Sequence, residues 1–451
     1  MTWRNSPVDN AECQKSRKIR NMKFYFSFAT VLLAILNFAY SQQNILPNQQ
    51  RLEAHLAALS KFGTNPQGGV SRLGFSEAAI QGRKYVIELM KQAGLDVHID
   101  AAGNIIGRRK GKNSKLPPIA FGSHIDSVPF GGNYDGDVGV VAAIECIEML
   151  NAEGRTTEHP LEVMVFCDEE GGLTGSQGMI GTLKADDLKR ITNSGKTIRQ
   201  GLWDIGGNPN ELERAIRKKG DLTAFVEVHV EQGAILDSKG LNIGVVEGIV
   251  GIEEWDITVL GKANHAGTTP MNIRRDALLA AAYLVISVNE TVRSIPGTQV
   301  GTVGIIHAEP GAPNVIPGKV TLSLELRDLS REKMFSIFDK IQQKATGIEK
   351  QTGTKINFKS RELDITPALA DKKIQGFIAE AAKESGKSFQ YMPSFAGHDS
   401  QDMAKIAPMG MIFVPSQDGI SHAPDEFTPL QDIANGTEVL FHTILKIDEV
   451  E

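Results

Sequence analysis

The sequence predicts an α/β protein whose mainly parallel sheet is interrupted by an inserted ferredoxin-like βαββαβ unit. Three observations predict it. From about Ile45 to Val245, short apolar runs alternate with helical patterns and end in charged turns. Between about Ile249 and Glu362 the order becomes strand, helix, strand, strand, helix, strand. After Glu362 the alternating α/β character returns, so the chain reads as a discontinuous domain, residues 42–248 and 363–451, enclosing a second domain at 249–362.

The elements follow in order. "LEAHLAALSKF" and "AIQGRKYVIELMKQAG" carry apolar residues at helical spacing, while "PPIAFG", "LEVMVFC" and "TAFVEVHV" are continuous apolar runs of strand length. Such runs suit strands covered on both faces, as in a parallel sheet with helices on either side. In the insertion, "EEWDITVLG" reads as a strand, "RRDALLAAAYLVISVNETV" as a helix, and "QVGTVGII" and "GKVTLSLELRD" as two strands. "SREKMFSIFDKIQQKATGIEKQ" is the second helix and "KINFKSREL" the last strand. The remainder supplies a helix in "DKKIQGFIAEAAKESG", a strand in "MGMIFVP" and a C-terminal helix. A site in such a sheet belongs outside the carboxyl ends of the parallel strands.

The 451 residues are 41% hydrophobic and 23% charged, with a formal charge of -6. That composition is ordinary for a soluble globular chain and gives no electrostatic footprint for nucleic acid. The first 41 residues differ from the rest. Lys15, Arg17, Lys18, Arg20 and Lys23 precede "FYFSFATVLLAIL", and small residues Ala39 and Ser41 stand before Gln42, the pattern of an export signal. An uncleaved membrane anchor is the alternative, because the run from Phe24 to Tyr40 falls just short of the roughly 20 residues that span a bilayer. Met22 is a second candidate start. Without the six basic and two acidic residues of this segment, 42 Lys/Arg face 52 Asp/Glu, a net charge of -10. Only Cys146 and Cys167 remain, both in apolar runs, which suits buried thiols rather than a disulfide framework.

The stretch "GSHIDSVPFGGNYDGDVG" places His124, Asp126 and Asp135 after an apolar strand. Asp137 there has an ordinary reading as a helix cap, but Asp126 and Asp135 do not. Carboxylates crowded at a strand end repel one another unless a cation sits among them, and histidine with Asp/Glu suits zinc or manganese. The theme recurs at three further strand ends, with Asp168, Glu169 and Glu170 in "DEEGG", His229 and Glu231 in "VHVEQG", and His422 in "SHAPDE". Adjacent residues at a strand end point to different sides, so one glutamate of the pair can bind metal while its neighbour handles protons.

These motifs, with "GKANHAGTTPMNIRRDA", "PGAPNVIPGKVTLSLELRD" and "AGHDSQDM", resemble the amidase branch of the M20 metallopeptidase-like hydrolases. That branch includes N-carbamoyl-L-amino-acid hydrolases, allantoate amidohydrolases and β-ureidopropionases. The resemblance runs from about residue 50 to the C-terminus and implies a catalytic domain bearing two divalent metal ions, zinc or manganese, and a lid and dimerisation domain at 249–362. It implies His124 and His229 on one ion, Glu170 and His422 on the other, Asp135 bridging both before a cis Asp135–Gly136 peptide, and Asp126 orienting His124. It further implies Glu169 as general base, His265 as oxyanion donor, and Gln232, Asn314 and Arg327 as substrate contacts, some of them serving the neighbouring subunit of a homodimer. His398 and Asp399 line the site on this reading without a stated role. Similar proteins commonly carry an arginine soon after the paired glutamates, where this chain has Gly172 and Leu173.

The implied activity is hydrolysis of a carbamoyl or ureido C–N bond beside a carboxylate, in an exported enzyme acting on a small molecule. An exopeptidase of the same superfamily is the rival, opposed by His229, since similar peptidases more often use a carboxylate there. A catalytically silent binder of ureido acids is the third reading, opposed by the retention of Glu169.

Overall fold

The computed structural model describes residues 1–2, 46–363 and 365–450. All but the first two residues of the proposed export segment lie outside that description. No helix among the described residues is long and apolar enough to cross a membrane.

The first sheet is built around four parallel strands. In chain order its neighbourhood comprises α1 (Gln49–Leu59), α2 (Glu77–Gln92), β1 (Asp96–Ile99), β2 (Ile105–Arg109), β3 (Ile119–His124), α3 (Asp137–Ala152) and β4 (Leu161–Phe166). It continues with α4 (Thr174–Ile180), α5 (Ile198–Asp204), β5 (Ala224–Val230), α6 (Ile235–Lys239) and β6 (Ile243–Ile249). Strands β3, β4 and β5 are buried along their whole length, as strands covered on both faces must be.

The second sheet lies wholly within residues 251–360. Its elements are β7 (Gly251–Leu260), α7 (Ala277–Ser294), β9 (Val300–Thr302), β10 (Ile306–Glu309), β12 (Lys319–Asp328), α8 (Arg331–Thr352) and β13 (Lys355–Ser360). The two-residue strands β8 (Asn264–His265) and β11 (Val315–Ile316) pair beside it. The order β10-β12-β7-β13 is antiparallel throughout, the βαββαβ arrangement the sequence predicts. Burial alternates along β7 and β12 because only one face is covered, by α7 and α8. Trp255 of β7 stacks on Phe338 of α8 at 4.0 Å, at the centre of that core.

The chain then returns to the first sheet with β14 (Ala368–Leu369), α9 (Lys372–Glu384), β15 (Phe389–Ser394), α10 (Asp399–Met403), β16 (Met409–Val414) and α11 (Leu430–Asp448). The sheet order is β1-β2-β4-β3-β5-β16-β6-β14, with β15 also on β6. Strands β4, β3, β5 and β16 run parallel. The hairpin β1–β2 and strand β6 join them antiparallel.

Four details differ from the sequence expectation. The single strand expected over "QVGTVGII" is two short ones, because the Ile305 N–H donates to Ser323 Oγ instead of continuing the ladder. Strands β1, β2, β6 and β15 carry too much glycine, charge or partial exposure to stand out as apolar runs. Asp137 is the first residue of α3 rather than its cap, and its carboxylate pairs with the buried Arg72 guanidinium. The Asp135–Gly136 peptide is not cis; the cis bond among the described residues is Glu309–Pro310. Gly136 caps α3 at φ 69°, and a Cβ there would lie 2.4 Å from His124 Cε1, so backbone conformation and the imidazole both exclude a side chain. Cys146 and Cys167 are buried and free, as expected.

Candidate active site

The carboxyl ends of the parallel strands deliver the charged groups to one place. His124 ends β3, residues 168–170 follow β4, His229 is next to last in β5, and His422 lies on the loop after β16. Asp135 arrives on the loop between β3 and α3 and sits between the histidines. Its Oδ1 is 3.0 Å from His229 Nε2 and 3.5 Å from His124 Nε2. Its Oδ2 is 3.3 Å from His422 Nε2, which lies 3.5 Å from Glu170 Oε1. Three donor sets result: His124–Asp135–His229 and Asp135–Glu170–His422, which share Asp135, and Glu227–His229–His398, which lacks it.

Backbone carbonyls fix the imidazoles. His124 Nδ1 donates to the Asp126 carbonyl at 3.0 Å and His229 Nδ1 to the Val230 carbonyl at 2.9 Å, so each ring turns Nε2 toward Asp135, the usual way a protein orients a ligating histidine. Asp126 does orient His124, through a different group from the carboxylate that the resemblance implies. Its carbonyl, not its carboxylate, holds His124; the carboxylate stands 3.9 Å from Nδ1 and accepts the backbone N–H groups of Glu169 and Glu170 at 3.2 and 3.1 Å. Asp126 thereby shapes the turn that carries both glutamates.

The residues present fit a pair of divalent cations. His229 Nε2, despite its closeness to Asp135, and Glu170 Oε1 are buried without a hydrogen bond, a costly condition unless something else satisfies them. The mixture of imidazole nitrogen and carboxylate oxygen suits zinc or manganese. Electrostatics agree. Burial raises Asp135, but the three histidines outweigh it and hold its carboxyl well below the usual range. Burial lowers His124, yet the carboxylates of Glu169, Asp135 and Asp126 bring it well above the ordinary imidazole value. His422 is pushed up to about 9, first by its hydrogen bond with Asp135 and then by Glu170. Burial and Asp135 lift Glu170 to about 7.

Glu169 is buried beside this cluster, with Oε2 3.9 Å from His124 Nε2. Burial pushes its carboxyl well up, reinforced by Asp399, Glu170 and Asp126 against the opposing His124. A carboxylate so placed is a ready proton acceptor.

A cavity of about 500 Å³ opens over the cluster. Gln232, at φ 58°, donates from Nε2 to Asp135 Oδ2 at 2.7 Å and lines the wall. Arg327 of β12 also lines the cavity; its Nε donates to Glu325 at 2.7 Å and its Nη1 to the Phe395 carbonyl at 2.8 Å. These bonds set the guanidinium plane and leave Nη2 without a partner among the described residues. Ile235, Met392, Phe395 and Phe413 form an apolar part of the lining.

His265 and Asn314 do not reach this cavity. They are exposed neighbours on β8 and beside β11, joined by the Ala266 N–H donating to the Asn314 carbonyl at 2.9 Å. His265 Nδ1 accepts the N–H groups of Gly267 and Thr268 at 3.0 and 3.2 Å, so Nε2 carries the proton and is a donor.

His398 lines the cavity, its ring 4.4 Å from that of His229, and Nε2 meets Ser394 Oγ at 3.0 Å. Asp399 does not line it. It is fully buried at the start of α10, where burial and Glu227 raise its carboxyl well above the usual range. Glu227 is equally buried and holds Ser123 and Ser400 through their hydroxyls at 2.6 and 2.5 Å. Arg190 lies over Gly172, where a Cβ would stand 2.9 Å from its Nη2, so a guanidinium reaches the paired-glutamate turn from a later loop. Sequence reading passed over Glu227, whose position inside an apolar strand gave no signal, and Glu426, whose signal was an acid four residues beyond His422.

The model of Peptidase family M20/M25/M40 matches residues 120–446. The chain is 40% identical over 407 residues to an N-carbamoyl-L-amino acid amidohydrolase of Geobacillus stearothermophilus, covering 89% of this chain and 99% of that one. It is 39% identical over 400 residues to a ureidoglycolate hydrolase of Oryza sativa subsp. japonica, covering 86% and 82% respectively. Among solved structures, a hydantoinase/carbamoylase family amidase from Burkholderia multivorans superposes with a TM-score of 0.82 at 34% identity, over 89% of this chain and 98% of the other.

Proposed function

The chain belongs to the M20/M25/M40 peptidase family, and from that premise we propose that it is a metal-dependent amidohydrolase cleaving the carbamoyl or ureido C–N bond of N-carbamoyl-L-amino acids or allantoate-like ureido acids. It is a hydrolase of carbon–nitrogen bonds other than peptide bonds. One observation carries the reading: Asp135 joins two ligand sets within a cavity that Glu169 and Arg327 also line.

His124, Asp135 and His229 would hold one divalent cation and Asp135, Glu170 and His422 a second, zinc or manganese. Bound there, the pair supplies an acidified water and polarises the scissile carbonyl. Glu169 takes the water's proton at its carboxylate and returns it to the departing nitrogen. Arg327 offers its remaining N–H groups to the substrate carboxylate, a pairing the planar guanidinium favours. Gln232, freed from Asp135, turns its amide to the ureido group. Hydrolysis of an N-carbamoyl amino acid then yields the amino acid and carbamate, which breaks down to ammonia and carbon dioxide.

The apolar lining at Ile235, Met392, Phe395 and Phe413 favours a carbamoyl amino acid with an apolar side chain over allantoate or ureidoglycolate, whose extra polar groups would lose water there without a partner. Turnover by the metal-loaded enzyme, followed as ammonia release for the ureido acids and as new α-amino groups for dipeptides, is expected to be about tenfold or more faster, as kcat/KM, for N-carbamoyl-L-methionine than for allantoate, ureidoglycolate, 3-ureidopropionate or dipeptides. Turnover of dipeptides alone would refute the amidase reading.

His265 and Asn314 stand outside their own cavity, and the same domain exposes Leu278, Leu279 and Ile286 of α7 together with Ile305 and the first residue of the edge strand β10, Ile306. These features support a homodimer in which each copy's His265 Nε2–H and Asn314 complete the other's site. Mixing the inactive Glu169→Gln and His265→Ala variants is then expected to restore about a quarter of wild-type activity, since half the dimers are hybrids with one intact site each. No recovery on mixing counts against the shared site.

We further propose export, with cleavage before Gln42, on the basic and apolar pattern of residues 15–41. N-terminal sequencing of the exported protein should begin at Gln42. A mature chain retaining residues 24–40 would instead indicate an anchor.

A further inference from the structure

We propose that Glu426 is a positioning residue that sets the spacing between the two arms carrying Asp135 and His422; the proposal rests on the two-metal reading of the site. Glu426 is 5% exposed and forms no ion pair among the described residues. All the hydrogen-bond partners of its carboxylate are donors from those two arms. Oε1 accepts the N–H groups of Tyr134 and Asp135 at 2.9 and 3.0 Å. Oε2 accepts the Ser421 hydroxyl at 3.1 Å and the His422 N–H at 3.3 Å. The Ser421 hydroxyl also lies 3.2 Å from Asp135 Oδ2. One carboxylate thus joins segments nearly three hundred residues apart, through the backbone N–H of one ligand on each side and, next to it, the Tyr134 N–H or the Ser421 hydroxyl.

The fit is close. A Cβ on Gly132 would stand 2.2 Å from Glu426 Oε1 and 2.4 Å from its Cβ, so the 131–136 loop lies directly on this side chain. The two ligand sets differ in their dependence on it. His124 and His229 are oriented by carbonyls at their own strand ends, which Glu426 does not touch. His422 has no such bond from Nδ1 among the described residues, holds a left-handed φ of 55°, and relies on its N–H to Glu426.

A carboxylate accepts on both oxygens, whereas an amide presents its NH2 to donors on one side. In Glu426→Gln the NH2 therefore belongs on the Ser421–His422 side, where the hydroxyl can turn to accept it and only the His422 N–H loses its acceptor, while the Tyr134 and Asp135 N–H groups keep theirs. The effect falls on the Asp135–Glu170–His422 set through His422, with the His124–Asp135–His229 set largely spared.

The test is a cobalt(II) titration of metal-stripped wild type, Glu426→Gln and Gly132→Ala, the last crowding the carboxylate without removing it. Visible d–d absorption reports each equivalent, and thermal unfolding of the stripped proteins is followed in parallel. The expected result is two equivalents in wild type, with the first nearly unchanged and the second weakened about 10–100-fold in the variants, the range typical of lost outer-shell support. Wild-type affinity for both equivalents in both variants overturns the proposal. So does equal weakening of both in step with a lowered Tm, the signature of a staple that only holds the fold. Fewer than two equivalents in wild type would instead overturn the two-metal reading beneath it.

Discussion

Glu169→Gln is expected to lower kcat by about 10²–10⁴-fold, the contribution of a general base, with metal content and fold intact. The substitution keeps shape and removes only the capacity to take a proton. Folding should not suffer, because burial already opposes the charge of Glu169 and a neutral amide avoids that desolvation. The Glu169 N–H stays bonded to Asp126, so the turn that also carries Glu170 keeps its place. The decisive comparison is single-turnover rate against metal stoichiometry. Turnover equal to wild type with two ions bound would remove Glu169 from the chemistry, and loss of an ion would mean that it is a ligand.

Exhaustive chelation should abolish turnover, and re-addition of zinc or manganese should restore it. Glu169 accepts the proton, but at neutral pH the water needs the cations to lower its pKa before it becomes a useful nucleophile. The pH dependence of metal uptake has a definite sign. His422, held at about 9, carries a proton across the neutral range that an incoming cation must displace. Affinity at the Asp135–Glu170–His422 set therefore falls as pH drops below about 9, and falls further as Glu170 protonates around 7. Stability of the stripped protein runs the other way for this histidine. Its folded value lies above the unfolded 6.5, so the stabilisation is full below 6.5 and is lost as pH rises through about 9. Calorimetric metal titrations at several pH values, each in two buffers of different ionisation heat, read both affinity and protons released. Affinity independent of pH between 6.5 and 9, or full activity after chelation, would contradict this account.

Much of the site was legible because of where its residues stand relative to apolar runs. A strand buried on both faces must be apolar throughout, so the first charged groups after "PPIAF", "LEVMVFC" and "MIFVP" mark one end of the sheet, whichever order the strands take. His124, Asp135, Glu169, Glu170, His229 and His422 stand at such strand ends together with Asp126, Asp168 and Glu231, and the resemblance to the amidases distinguishes the ligands and the base among them. The insertion was legible because its strands alternate and its helices carry an apolar stripe. The hairpin β1–β2 was not, since it is short and half exposed, and its place depends on pairing with β4.

Position relative to the apolar runs brings these charged side chains to the carboxyl ends of one set of parallel strands, and their types set the chemistry they support. How each is aimed depends on contacts between distant segments. The Asp126 carbonyl, rather than its carboxylate, turns His124; Glu426 ties together two loops almost three hundred residues apart; and His265 and Asn314 fall outside the cavity of their own chain. Residue type and spacing along a strand fix which end of the sheet a group reaches. Hydrogen bonds between distant loops depend on strand order and loop path, which local pattern does not encode.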